Sequence, residues 1–166
     1  VYDVQNLVER ARVNVGASTN PVGISETGEW IVSGFNTTKA FQWDPGTNAY
    51  VLRWTRSTSG FYAGVAAVSE QGFWIVGWYR SSYTQNRYVR WNLATGAVDW
   101  TVDSPVSSGA VQDLPVAVDY TPDRSLFAFA NWGDAADGSP EILVLKADGT
   151  EAASVQAPGS MYDVAL

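Results

Sequence analysis

An eight-residue stretch occurs twice in this chain. Ser25-Glu26-Thr27-Gly28-Glu29-Trp30-Ile31-Val32 returns as Ser69-Glu70-Gln71-Gly72-Phe73-Trp74-Ile75-Val76, with six of the eight positions identical at an offset of 44 residues. Self-similarity at a period of this size means that one supersecondary unit is used several times over. The offset drifts to 48 between Phe41-Gln42-Trp43-Asp44 and Val89-Arg90-Trp91-Asn92, and to 46 between Arg53-Trp54-Thr55 and Asp99-Trp100-Thr101, as small changes in loop length would produce. A third, more diverged copy places Val116 to Val118 in a first strand, Thr121-Pro122-Asp123-Arg124 in a turn and Leu126 to Phe129 in a second strand. Ile142 to Leu145, the turn Ala147-Asp148-Gly149-Thr150, and Ala152 to Val155 complete it.

Each copy therefore holds four short strands rich in Val, Ile, Trp, Tyr and Phe, separated by clusters of Gly, Pro, Asp, Asn and Thr that supply turn geometry. No helical period of apolar residues runs over eleven positions or more. Four strands in roughly 40 to 45 residues is the length of one propeller blade. With the strands labelled a to d from the axis outward, Trp43-Asp44 and Trp91-Asn92 close strand c, and Asp44-Pro45-Gly46-Thr47 and Ala94-Thr95-Gly96 lead into strand d. Trp followed by Asp or Asn and then a turn with Thr and Gly resembles the WD40 repeat. The run Ala94-Thr95-Gly96-Ala97-Val98-Asp99-Trp100 is similar also to the repeat of quinoprotein-type propellers. The resemblance implies an all-β propeller. The Gly-His dipeptide of WD40 blades is missing, because the chain has no His, and the adjacent-cysteine and calcium site of quinoprotein dehydrogenases has no counterpart, because there is no Cys.

The ends extend the pattern. Val1 to Val4 and Ala11 to Val15 read as strands c and d of a preceding blade, and Met161 to Leu166 as strand a of a following one. The division expected is 1–19 for the end of a preceding blade, 20–60, 61–113 and 114–158 for three full blades, and 159–166 for a first strand. That is about 3.8 units, and an open arc leaves apolar faces and strand edges in water. The expectation is a segment of a larger propeller, with the remaining blades drawn from the same chain or another copy. A closed four-bladed ring is the alternative.

Composition narrows the chemistry. Seventeen acidic against ten basic side chains leave a formal charge of −7, which argues against nucleic acid as a partner. No apolar run reaches 18 residues, so membrane insertion by a helix is not expected. The absence of His and Cys removes the commonest general base, thiol nucleophiles and Cys-ligated zinc; no cofactor and no metal are expected. The segment from Gly133 to Glu141 gathers Asp134, Asp137 and Glu141 but lacks the alternating spacing of a calcium loop, and nothing pairs Asp134 with Asp137 as glycosidase carboxylates. With two Lys against eight Arg the composition leans extracellular, a cytoplasmic location being the alternative, and Asn36-Thr37-Thr38 is a glycosylation sequon.

In a propeller the b-to-c and d-to-a loops share one rim, and loops carry function more often than strands do. That rim is expected to display Tyr79, Arg80, Tyr83, Asn86 and Arg87 from one blade and Trp132, Asp134, Asp137 and Glu141 from the next, with Phe61, Tyr62 and Asp113 from d-to-a connections. Most of the eight Trp recur at fixed repeat positions, as packing between sheets demands; Trp78 and Trp132 break the pattern. The function expected is a non-catalytic interaction platform that binds protein through this rim. The alternative is a carbohydrate-binding, lectin-like propeller or part of a secreted glycan-active enzyme, with the rim aromatics stacking on sugar rings.

Overall fold

A computed structural model describes residues 1–3, 5–15, 21–57, 61–70, 73–80, 85–105, 114–133 and 140–166. They form a two-stranded hairpin, β1 (Tyr2–Asp3) with β2 (Val8–Glu9), followed by three four-stranded sheets. The first blade holds β3 (Val22–Ile24), β4 (Trp30–Gly34), β5 (Thr37–Asp44) and β6 (Ala49–Ser57). The second holds β7 (Phe61–Ser69), β8 (Phe73–Arg80), β9 (Gln85–Asn92) and β10 (Val98–Pro105). The third holds β11 (Leu114–Tyr120), β12 (Leu126–Trp132), β13 (Ile142–Lys146) and β14 (Glu151–Val155). Every four-stranded sheet is an antiparallel meander in chain order, so strands a to d of each blade are consecutive in sequence.

Turn chemistry sets the length of each unit. At the c-to-d turn Asp44 accepts hydrogen bonds from the Gly46 amide and the Thr47 hydroxyl, Asn92 from the Thr95 amide and hydroxyl, and Asp148 from the Thr150 amide and hydroxyl. Such side-chain acceptors close a turn that the backbone alone would leave open. Asp3 accepts from the Gln5 and Asn6 amides in the same way. Leu7 lies at φ 56°, as Asn48 does at φ 53° in the first blade. The β1–β2 hairpin thus repeats the outer turn of a blade. Its second strand is Val8–Glu9, a short partner of Tyr2–Asp3, and residues 11–15 form no strand, which corrects the expectation of a d strand at Ala11 to Val15. Residues 161–166 likewise form no strand, against the expectation of a following strand a. They lie against blade 3 through Met161 N to Asn131 O and Leu166 N to Asp119 Oδ2.

The blades join by a repeated contact. Trp54, on the outer strand of the first blade, donates its indole N–H to Leu93 O in the c-to-d turn of the second, at 2.7 Å; Trp100 donates to Ala147 O in the third, at 2.9 Å. Gly96 and Gly149 sit directly over these indoles at φ 67° and 87°; a Cβ on either would fall 2.8 or 2.9 Å from the ring. Left-handed backbone and the approach of a flat ring together require glycine there. Trp54 also stacks on Trp91 at 5.9 Å, and both are buried. Around this contact Trp30, Val32, Phe61, Val76 and Val89 fill one core between the first two blades; Ile75, Tyr88, Phe127, Phe129 and Leu143 fill a second between the last two. The third blade departs from the pattern: Ala153, opposite Val144, stands where Trp100 stands opposite Arg90.

Candidate functional site

The b-to-c turn of the first blade is two residues long, Phe35-Asn36, and Asn36 is exposed on it. The turn reaches into the second blade. Phe35 O accepts the Ala63 amide, and the Phe35 ring lies flat on Tyr62 at 4.5 Å with 12° between planes. One face of Tyr62 is therefore covered. Next to it Arg87 donates two hydrogen bonds to Asp103, at 2.6 and 2.8 Å, and its guanidinium lies 4.2 Å from the Phe61 ring centre. The bonds to Asp103 raise the Arg87 pKa further above its ordinary value, so the charge is fixed.

In the third blade the Trp132 indole donates to the Tyr162 hydroxyl at 2.8 Å, and Ser160 donates to Gly133 O. Both contacts hold the chain that follows β14 against the end of β12 and Gly133. Glu141 serves the same end: its side chain is buried and accepts the Ala157 amide at 2.6 Å. Asn86 is 3% exposed, at the start of β9. Asn86 and Glu141 thus offer almost no surface to a ligand, against the expectation that they would be displayed. Tyr88, on strand c of the second blade, donates to Asn131 Oδ1 of the third at 3.0 Å, and Asn131 Nδ2 donates to Pro140 O.

The other expected rim residues fall into two groups. Tyr79 and Arg80 lie on β8 opposite Tyr62 and Phe61. Tyr83, Asp113, Asp134 and Asp137 lie outside the described residues. What the structure brings together on the rim is Phe35, Phe61, Tyr62, Arg87 and Asp103 at the junction of the first two blades, and Trp132 with Tyr162 in the third. Phe35 and Asp103 carry no signal of their own in sequence, because each owes its place to a partner in another strand or blade. Among the described residues no group of three acidic side chains is placed to hold a metal ion.

A second cluster occupies the opposite face, where the a-to-b turns meet. Glu70 of the second blade accepts both the amide and the hydroxyl of Thr27 in the first. Burial pushes the Glu70 carboxyl up, and the hydrogen bonds from Ser25 and Thr27 outweigh it, leaving its pKa below the ordinary value. Arg124 of the third blade donates to Ser69 of the second at 2.8 Å and to both carboxylate oxygens of Glu26 in the first, at 2.8 and 2.9 Å. Three successive blades are bridged by one side chain. Tyr120 donates to Val68 O, and burial, followed by the Glu26 charge, raises its pKa. Arg124 lies at φ 59°, the turn position that Gly28 fills at φ 74° in the first blade. That exchange of glycine for arginine in the third copy is the sequence signal that could have located the cluster.

No family model matches the chain, and no curated protein does. Solved structures do. The C-terminal WD40 domain of Sif2 superposes with a TM-score of 0.60 at 12% identity, over 86% of this chain and 38% of that one. A chain of the mitotic checkpoint complex gives 0.58 at 16% identity, over 89% and 42%. The beta-propeller domain of Cps50 (Swd1) from Myceliophteria thermophila gives 0.58 at 11%, over 96% and 48%. The chain spans less than half the length of each of these proteins. Their likeness, the three meander sheets and the repeated contact between blades agree on one architecture: this chain has the β-propeller fold and superposes on part of the ring of each of these domains.

Proposed function

We propose that the chain is a non-catalytic platform that binds another protein through the rim of b-to-c and d-to-a loops. The observation that carries this is the junction of the first two blades, where one aromatic pair, a third ring and a fixed arginine lie side by side. The Phe35–Tyr62 stack and the Arg87 guanidinium, held over Phe61 by Asp103, are already ordered by contacts within the protein. Aromatic and arginine side chains of this kind dominate binding energy at protein interfaces, and groups fixed before binding lose little entropy on association. Two of the solved neighbours are described as WD40 or beta-propeller domains, and a third belongs to a multiprotein complex, which supports a scaffold in general terms. The covered face of Tyr62 and the committed N–H of Trp132 give a glycan reading no comparable support.

The test compares partner capture by the parent protein with capture by Tyr62→Ala, Arg87→Ala and Leu52→Ala. Leu52 is exposed on the outer strand β6, away from the rim. The rim variants should each weaken capture of the same partner by about tenfold or more, and Leu52→Ala should leave it unchanged. Equal capture by all four, or turnover of a substrate in a hydrolase and dehydrogenase panel, would overturn the proposal.

A further inference from the structure

The arginines at the blade junctions are not all spent to the same degree. A guanidinium carries five N–H donors on three nitrogens. Arg56 bonds through all three, to Gly96 O, Thr55 O and Thr95 O, and Arg124 does the same with Ser69, Pro122 O and Glu26. Both are used up in holding blades together. Arg87 bonds through only two: its Nε and Nη2 donate to the two carboxylate oxygens of Asp103, at 2.6 and 2.8 Å. Its Nη1 donates to none of the described residues, although 34% of the side chain is open to solvent.

What holds Arg87 also decides what it can offer. Arg87 and Asp103 stand directly opposite each other in the register of β9 and β10, so the sheet itself fixes the pair. The guanidinium carbon lies over the Phe61 ring, 4.2 Å from its centre, which occupies one flat face. With that face and the Nε edge taken, the edge left is the one formed by Nη1 and the outer N–H of Nη2. Two parallel donors at this spacing match the two oxygens of a carboxylate or a phosphate. Charge decides between them. Asp103 already brings the pair to zero, on a chain with a formal charge of −7, and a phosphate would set two negative charges against Asp103 where a carboxylate sets one.

We propose that the Nη1–Nη2 edge of Arg87 takes the carboxylate of an Asp or Glu side chain of the partner protein in two parallel hydrogen bonds, beside the Phe35–Tyr62 stack. Asp103 is the positioning residue, since it turns the guanidinium and keeps that edge outward. The partner segment is therefore acidic at one position, on a surface that is itself acidic overall, so recognition depends on the fork and not on general charge attraction. This rests on the rim reading given above and adds to it the chemistry of the partner.

The test selects a random-sequence peptide library on the whole native protein and measures the recovered peptides by titration calorimetry against Arg87→Gln, Arg87→Lys, Tyr62→Ala and Arg12→Gln, with circular dichroism confirming the parental sheet content of each. Arg12 makes the same pair of bonds to Glu9, at 2.6 and 3.0 Å, in the chain ahead of the first blade, and serves as the control. The recovered peptides should share one Asp or Glu position. Changing it to the amide should weaken binding by about tenfold or more, Arg87→Gln should cost a similar factor, and the two changes together should cost no more than either alone. Arg87→Lys, which keeps the charge and loses the fork, should lose most of the same factor, and Arg12→Gln should lose none. Peptides without a shared acidic position, losses that multiply, or tighter binding when the acid is replaced by phosphoserine would each overturn the proposal. Peptides that need Tyr62 but not Arg87 overturn it and leave the rim reading standing; peptides that bind Tyr62→Ala and Arg87→Gln as well as the parent overturn both.

Discussion

Replacing Gly149 by alanine tests how the blades are locked together. Gly149 adopts φ 87° in the c-to-d turn of the third blade, and its position faces the Trp100 indole of the second. A left-handed backbone costs an L-residue about 1–2 kcal/mol. The new Cβ would lie 2.9 and 3.0 Å from Trp100 Cδ2 and Cγ, closer than carbon atoms approach, so the ring must withdraw. Withdrawal lengthens the 2.9 Å bond from Trp100 Nε1 to Ala147 O, a loss of about 1 kcal/mol. The sum is a destabilisation of about 2–3 kcal/mol. Gly46→Ala is the matched control. Gly46 is not among the left-handed residues, and its Cβ would meet nothing but the Asp44 carboxylate oxygen, at 3.2 Å. It should cost less than about 1 kcal/mol, as surface changes away from special backbone geometry do. Urea unfolding followed by tryptophan fluorescence and by circular dichroism reads both, and Gly149→Ala should also alter the native emission. If the two variants unfold at the same urea concentration, the contact between turn and indole does not hold the blades together, and the reasoning from Gly149 and Trp100 is refuted.

Two further outcomes follow from the face where the a-to-b turns meet. Arg124→Gly and Arg124→Ala both lose the bridge to Glu26 and Ser69, but only glycine removes the left-handed strain at φ 59°; Arg124→Gly should be the more stable of the two by about 1 kcal/mol in thermal or urea unfolding, and the reverse order would refute the reading of that turn. Asp123 accepts hydrogen bonds from the Thr121 hydroxyl and from the Ser125 amide and hydroxyl, which lower its pKa from 3.8 to about 2. A carboxyl lowered by folding contributes stability that is complete above its unfolded pKa and lost as the pH falls through the folded one. The gap in unfolding midpoint between the parent and Asp123→Asn should therefore shrink between about pH 4 and pH 2, and a gap independent of pH would exclude this carboxylate as a source of acid sensitivity.

The repeat, the four strands in each copy and the turns between them are legible in the residues alone. Val, Ile and aromatic runs select strands, and the acceptor at Asp44, Asn92 or Asp148 bonds to groups two or three residues ahead, so both effects act between sequence neighbours. The placing of Tyr62, Arg87 and Trp132 near loops is legible for the same reason. Which way a side chain points, and what meets it, is another matter. Strand a of the second blade shifts register between Ala63 and Val65, and that of the third between Pro115 and Ala117. One extra residue reverses the face that every following side chain presents. Asn86 and Glu141 lie buried although both flank loops. Phe35 finds Tyr62, Trp54 finds Leu93 and Arg124 finds Glu26 across 27, 39 and 98 residues of chain. Contacts of that separation leave no local pattern, because they come into being only when whole blades stack, and stacking sets which residues become rim, core or bridge.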